Sequence, residues 1–497
     1  MEIKFIENEL QCMCPVVGQV HTGEQTQEVR LPDAFPDIGK VVGCWGQVLI
    51  RGKEWRDTSI GANGGVMAWV LYAPEDGTTP RVVDVWIPFQ CRWELPDEAQ
   101  DGVIHLCPVL TELDARGLSA RKLMVRSVVD TYATGMKRHT ADISVPSQVP
   151  EDVQLLKRNY PAELPMEAGE KQVQFEENLT LPEHLPRIHK MVCFSLKPDI
   201  EEQKVLGNRL VFRGTGVVEM TYLSEEGEIH RWASEFPFSQ YTQLDRDYSP
   251  NASAWVLPIL TAAELEIVEG QLHLRGGLAA QYTVFDRASV EVIADAFSPL
   301  RDVTVKLEQL NLPMLLDRMT MQIPIEVKHS SEADKILSAT LYPQYPAVRL
   351  EDDPMLCLYG QFQLLTKGAD DQLYGQSARF EAQMPFATTP ENRHYLWLCN
   401  AKQTEISHNA DGFELNSGYP VAVQIYSALP IAMVTNLELG ELKLPDADRP
   451  SVIIRRAGED GLWGLAKHCG ATVDAIREAN QLSGEPDVGQ LLLIPVS

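Results

Sequence analysis

The chain reads as a mainly β protein: three tandem antiparallel, sandwich-like β-rich units followed by a small α+β module of βααβ order. Three observations predict this. One beat, Ile87-Pro88-Phe89, returns as Phe236-Pro237-Phe238 and as Met384-Pro385-Phe386, with the prolines 149 and 148 positions apart. A period of that length is a whole small domain used three times. Period-two alternation, broken by Gly, Pro and Asp-Gly turns, dominates all three stretches and is the signature of an antiparallel sandwich or barrel. Beyond Pro450 the spacing becomes helical. The boundaries expected from these shifts are 1–150, 151–299, 300–445 and 446–497.

The first unit follows a short leader and opens on Leu31-Pro32-Asp33-Ala34-Phe35-Pro36-Asp37-Ile38-Gly39-Lys40-Val41. The second opens alike, on Leu181-Pro182-Glu183-His184-Leu185-Pro186-Arg187-Ile188-His189-Lys190-Met191, and the third keeps only Asp334-Lys335-Ile336-Leu337. Each unit then carries a glycine-led alternating stretch: Gly65 to Tyr72, Gly216 to Tyr222, and Gly360 to Leu365. An acidic turn follows each time, at Glu75-Asp76-Gly77, Glu225-Glu226-Gly227 and Ala369-Asp370-Asp371, before a second strand runs into the Pro-Phe. That is one β-hairpin written three times. Proline cannot donate to a ladder, so the beat is expected at a strand end with the phenylalanine plugging the core. Further strands close the units at Leu123–Val129, Leu272–Phe285 and Val421–Tyr426. The linkers between units are acidic or proline-bearing: Val149-Pro150-Glu151-Asp152, Phe297-Ser298-Pro299, and Leu444-Pro445-Asp446-Ala447-Asp448-Arg449-Pro450.

In the tail, Ser451 to Arg456 is a short strand. Leu462, Leu465, Ala466 and Cys469 then share one helical face. Asp460 is placed to cap that helix, Gly470 to stop it and Thr472 to cap the next, Val473 to about Glu478 or Ala479. Asn480-Gln481-Leu482-Ser483-Gly484 turns the chain, and Gln490 to Ile494 is a last strand ended by Pro495.

Composition narrows the function. The 497 residues include 43 Lys and Arg against 70 Asp and Glu, a net charge of −27 that repels nucleic acid and anionic lipid. No run approaches the roughly 20 apolar residues of a membrane helix, and the opening residues lack a signal-peptide core, so cytoplasmic retention without membrane insertion is expected. Nine scattered cysteines fit a reducing compartment. Cys12 and Cys14 lack further ligands for a metal site and are expected to be ordinary thiols. None of the sequence motifs for serine hydrolases, P-loops, zinc proteases or dithiol redox centres is present. His184 and His189 are expected as solvated loop residues. The acidic pairs Glu225-Glu226, Asp352-Asp353 and Asp370-Asp371 fall in or beside turns, where carboxylates are common. Trp69 and Trp86 are expected to anchor the first hairpin, with Trp86 or Trp93 a protein-binding hot spot if exposed. No catalytic residue and no cofactor is expected.

The tail resembles a LysM domain, a module that holds N-acetylglucosamine-containing glycans. The matching residues are Leu462-Trp463-x-Leu465-Ala466, Gly470-x-Thr472-Val473-x-x-Ile476, Asn480-x-Leu482, and Gly489-Gln490-x-Leu492-x-Ile494-Pro495. The family's usual Gly-Asp-Thr-Leu opening reads Glu459-Asp460-Gly461-Leu462 here, so a hydroxyl is lost and a carboxylate gained. The resemblance places a glycan or partner between Asp460, Gly461 and Leu462 of the first loop and Asn480, Gln481, Leu482 and Ser483 of the second. It also places Trp463 in the packed helix. The Pro-Asp-Ile-x-Lys-Val opening and the glycine–strand–turn–Pro-Phe hairpin resemble the SPOCS domain of sporulation and spore-coat proteins of Clostridia and related Firmicutes. SPOCS repeats followed by one LysM is the order seen in clostridial spore-coat morphogenetic proteins. The resemblance implies a non-enzymatic structural or adaptor protein, assembled from the mother-cell cytoplasm at the forespore surface or spore coat. Its partners would be coat or forespore-surface proteins. The alternative it implies is a peptidoglycan-binding protein with the repeats as spacer.

Overall fold

The computed structural model describes residues 3–95, 102–268, 270–329, 335–400, 404–409, 412–443 and 450–496. In the first unit the supposed leader is itself a strand, β1 (Phe5–Arg30), followed by β2 (Ile38–Arg56), β3 (Ser59–Pro74), β4 (Arg81–Glu94), β5 (Val103–Ser119) and β6 (Lys122–Pro146). These form two antiparallel sheets, β1-β6-β5 and β2-β3-β4. Phe5 pairs with Pro146 and Arg30 with Lys122, so the first strand of the unit zips along its last. One core joins the inner faces of the two sheets, with Val66, Val70, Tyr72 and Ile87 against Leu110, Leu123 and Val125. That facing arrangement follows from alternation, which puts every second side chain on the inner face.

The second unit repeats the plan with β7 (Gln154–Leu179), β8 (Ile188–Leu206), β9 (Arg209–Ser224), β10 (Ile229–Gln243), β11 (Ser253–Val268) and β12 (Gln271–Phe297), as sheets β11-β12-β7 and β10-β9-β8. The third holds β13 (Arg301–His329), β14 (Lys335–Pro343), β15 (Ala347–Arg349), β16 (Met355–Lys367), β17 (Leu373–Pro385), β18 (Arg393–Leu398), β19 (Glu405–Asn409) and β20 (Gly412–Leu442). Here β13 pairs β20, to which β18 and β19 add, and β14, β15 and β17 pair β16. The three predicted hairpins are β3–β4, β9–β10 and β16–β17. Their shared opening turn is tied to the hairpin in the first two units, where Tyr72 Oη donates to the Pro36 carbonyl at 2.9 Å and Tyr222 Oη to that of Pro186 at 3.1 Å. Asp334 and Leu444 to Arg449 lie outside the described residues.

The Pro-Phe beat differs from its expected place. Pro88 and Pro237 sit mid-strand in β4 and β10, not at strand ends. Both strands are sheet edges and both prolines are exposed, so the missing N–H faces away from the ladder. Phe89 is buried, whereas Phe238 is half-buried and Phe236 takes the inner position. In the third unit Gly360 faces Phe380, as Gly216 faces Phe236. Met384-Pro385-Phe386 is therefore shifted toward the end of β17, and only there does the proline close its strand.

The units interlock. Buried Cys107, Val109 and Tyr132 meet Trp255, Leu257 and Phe285 of the second unit and Leu315, Trp397 and Tyr426 of the third in one shared core. Cys12 and Ala141, Leu164 and Val290, and Leu312 and Ile431 form another from the long paired strands of all three units. At Gly375 of β17 an added Cβ would stand 2.0 Å from the Val42 carbonyl oxygen, so backbone meets backbone across the first and third units. The linkers are also clasped: Asp152 takes a two-pronged ion pair from Arg301, both contacts 2.7 Å, and a hydrogen bond from Ser298. Trp69 and Trp93 are buried and Trp86 is half-buried over Gly65, leaving none of them as an exposed anchor.

The tail is β21 (Val452–Arg456), α1 (Gly461–Cys469), α2 (Val473–Ala479) and β22 (Leu491–Pro495), with β21 antiparallel to β22. Gly470 ends α1 in the left-handed region at φ 64°, and the Thr472 hydroxyl accepts from the Ala475 N–H at 3.2 Å, as expected. Among the described residues no helix is long and apolar enough to cross a membrane.

Candidate binding surface of the C-terminal module

The seven residues expected to hold a glycan or partner lie at the start of α1 and in the loop after α2, and most are committed to the fold. Leu462 is fully buried in the module core with Ala466, Ile476 and Ile494. Gly461 adopts φ 62°, which only glycine takes without strain. Asp460 stands at the helix N-terminus but its side chain makes no capping bond. The capping carboxylate is Glu485, whose Oε2 accepts from the Leu462 N–H at 2.9 Å. This corrects the expected cap: Asp460 sits in helical backbone geometry, from which its own carboxylate cannot turn back onto the first amides, and the second loop supplies the oxygen instead. The two loops thereby close on each other.

Asn480 is likewise spoken for. Its side chain donates to the Ile476 and Leu493 carbonyls at 2.8 and 2.6 Å and accepts from the Leu493 N–H at 2.8 Å, pinning β22 to α2. Leu482 packs partly against the core, and Gln481 holds φ 52°. Asp460, Gln481 and Ser483 are the members left exposed.

Trp463 does not pack within its own module alone. Its ring meets Phe297 of β12 edge-on at 4.8 Å, and its Nε1 donates to Asp295 at 2.9 Å. Lys467, one turn on, pairs with the same carboxylate at 2.7 Å. Helical spacing puts both residues on the face that docks the module onto the second unit. Burial disfavours the charge of Asp295, but the hydrogen bonds from Lys467 and Trp463 outweigh it and hold its carboxyl below the usual range. Asp295→Asn is expected to cost about 1–2 kcal/mol of docking, a value reduced because Lys467 is half-exposed. The check is amide hydrogen exchange, which should quicken in α1 and remain unchanged in β3.

The feature that sequence reasoning missed lies on the other side. The inner face of β21–β22, Ile453, Leu492 and Ile494, packs on the helices. The outer face presents Val452 at 51% exposure, Ile454 at 63%, Leu491 at 59% and Leu493 at 45%, with Ile454 directly opposite Leu493. Val488 of the preceding loop is 72% exposed. A two-stranded sheet flanked by helices on one side normally turns polar residues outward. The signal was present in the unbroken apolar runs of both strands, which alternation would have interrupted.

Elsewhere, His184, His189 and the acidic pairs Glu225-Glu226 and Asp352-Asp353 are exposed. Burial raises the Cys12 thiol to about 11, with Cys14 adding to the shift, so Cys12 is a protonated thiol at neutral pH. Among the described residues no group of three or more His, Cys, Asp or Glu side chains is placed to hold a metal ion. Comparison with family models, curated proteins and solved structures returned no match.

Proposed function

We propose that this chain is a structural adaptor that docks a protein partner through its C-terminal module, and that it acts at the spore envelope, as its resemblance to SPOCS–LysM proteins implies. The observation that carries the reading is the outward aliphatic face of β21–β22. Clustered exposed aliphatic side chains mark sites where another apolar surface is buried. The engagement of Leu462 and Asn480 within the fold supports protein docking over sugar binding, because the groove retains few free polar groups with which to hold hydroxyls. The interlocked units supply a rigid platform, and the Asp295 clasp fixes the module's attitude on it. The partner would be a coat or forespore-surface protein reached from the mother-cell cytoplasm.

The discriminating experiment exposes the full chain to purified peptidoglycan and to N-acetylglucosamine oligomers. Absence of saturable binding is the expected outcome. Saturable binding at micromolar affinity, lost on Gln481→Ala with Ser483→Ala, establishes the glycan reading in its place.

A further inference from the structure

The three units meet through strands of one sheet packed on strands of a neighbouring unit's other sheet. Strand β2 of the first unit packs on β11 of the second, and β14 of the third on β5 of the first. Between the second and third units Asn400, just beyond β18, donates to the Pro198 carbonyl of β8. Between them lies a cavity of about 700 Å³ lined by all three units. That volume lies within the range of sites for small organic molecules.

The ionic lining is unbalanced. Lys197 is neutralised by Glu219 at 2.8 Å, and Asp199 is exposed. Arg231 and Arg318 also line the cavity and form no ion pair among the described residues. The Arg318 guanidinium lies over the rings of Trp255 and Phe285 at 5.6 and 5.3 Å and donates to the Ala254 carbonyl at 3.1 Å. Ring faces and a carbonyl hold it in place without a carboxylate. Burial pushes its pKa down, and the charge of Glu163 opposes that shift only in part. A desolvated cation without a counter-ion is costly, and in a chain of net charge −27 Arg318 is unexpected in that state unless something negative joins it. Apolar side chains in the wall include Leu257, Met319 and Leu398.

We propose that this cavity binds a small organic anion, its apolar body against Trp255 and Leu257 and its carboxylate, sulfonate or phosphate group on Arg318. This site is independent of the tail and of the adaptor reading.

The test uses the full chain and two fluorescent probes that share an aromatic body, 1-anilinonaphthalene-8-sulfonate and the uncharged N-phenyl-1-naphthylamine. The sulfonate is expected to bind saturably at one site, about tenfold more tightly than the neutral probe, and Arg318→Gln is expected to weaken it by about tenfold or more. Arg318→Lys, which keeps the charge but not the planar fork, decides the matter if Arg318→Gln changes the near-ultraviolet circular dichroism; about threefold weaker binding is expected there. Equal affinity for both probes, no saturable binding, or unchanged affinity in the arginine variants overturns the proposal. So does a signal that survives both arginine changes and disappears with Ile454→Glu and Leu493→Lys, since the probe then sits on the tail.

Discussion

Replacing Lys53 by Met is expected to lower stability by about 2–4 kcal/mol, because it breaks a polar knot between the first two units. Lys53 rises from β2 into a buried position, where it pairs with Glu170 of β7 and donates to the Ile104 carbonyl at 3.0 Å and to Gln281 Oε1 at 2.6 Å. Burial lowers its pKa, and the adjacent Glu170 opposes that shift. Gln281 in turn clamps the edge of β5, accepting from the Leu106 N–H at 2.7 Å and donating to its carbonyl at 2.9 Å. Methionine keeps the length but leaves Glu170 without its cation and Gln281 without one of its donors. The loss falls below that of a fully buried pair because Glu170 remains 24% exposed. Urea unfolding compares the two proteins. Adding Glu170→Leu to Lys53→Met is expected to recover part of the loss, since the orphaned charge is then removed.

The second large effect is on acid stability. His105 of β5 is buried in the same interface, and its pKa falls from 6.5 to about 3, chiefly through burial and secondly through the charge of Lys53. Backbone groups of Gly169 and Tyr282 oppose the shift. The folded state thus refuses a proton that the unfolded chain accepts. Stability from this group is fully present above pH 6.5 and is lost as pH falls toward 3, by about 3–5 kcal/mol in total. In His105→Gln, stability relative to the parent is expected to rise steadily between pH 6.5 and 4. Parallel stability–pH curves for the two proteins would show that His105 titrates normally.

How much was legible beforehand follows from what each feature depends on. The hairpins β3–β4, β9–β10 and β16–β17 close over short turns, so alternation and turn residues mark them locally. The stops and caps of the tail, Gly470 and Thr472, act within one helical turn and were read from spacing alone. Strand β1 was not. Its partner β6 comes only after four intervening strands, with Phe5 against Pro146, and its register shifts between Pro15 and Val17, so the stretch lacks a clean alternation. The cap of α1 escaped for the same reason, because Glu485 reaches Leu462 from across the module rather than from the adjoining residue. The Pro-Phe beat is not equivalent across the units: in the third, Phe380 faces Gly360 as Phe236 faces Gly216 in the second, and the Pro-Phe pair lies further along. The LysM resemblance places Trp463 in the packed helix, and such a resemblance cannot distinguish a module's own core from a neighbour's Phe297.

The account stands most directly on whether the outer face of β21–β22 is the docking surface. The measurement is capture of coat proteins from sporulating cells by the full chain and by a variant carrying Ile454→Glu with Leu493→Lys. These two positions face each other, so the introduced charges attract across the strands and the hairpin is retained. The account predicts that the parent retains a coat protein which the variant, with unchanged circular dichroism, fails to hold. Retention of the same partners by both proteins would contradict it and move recruitment to the repeats.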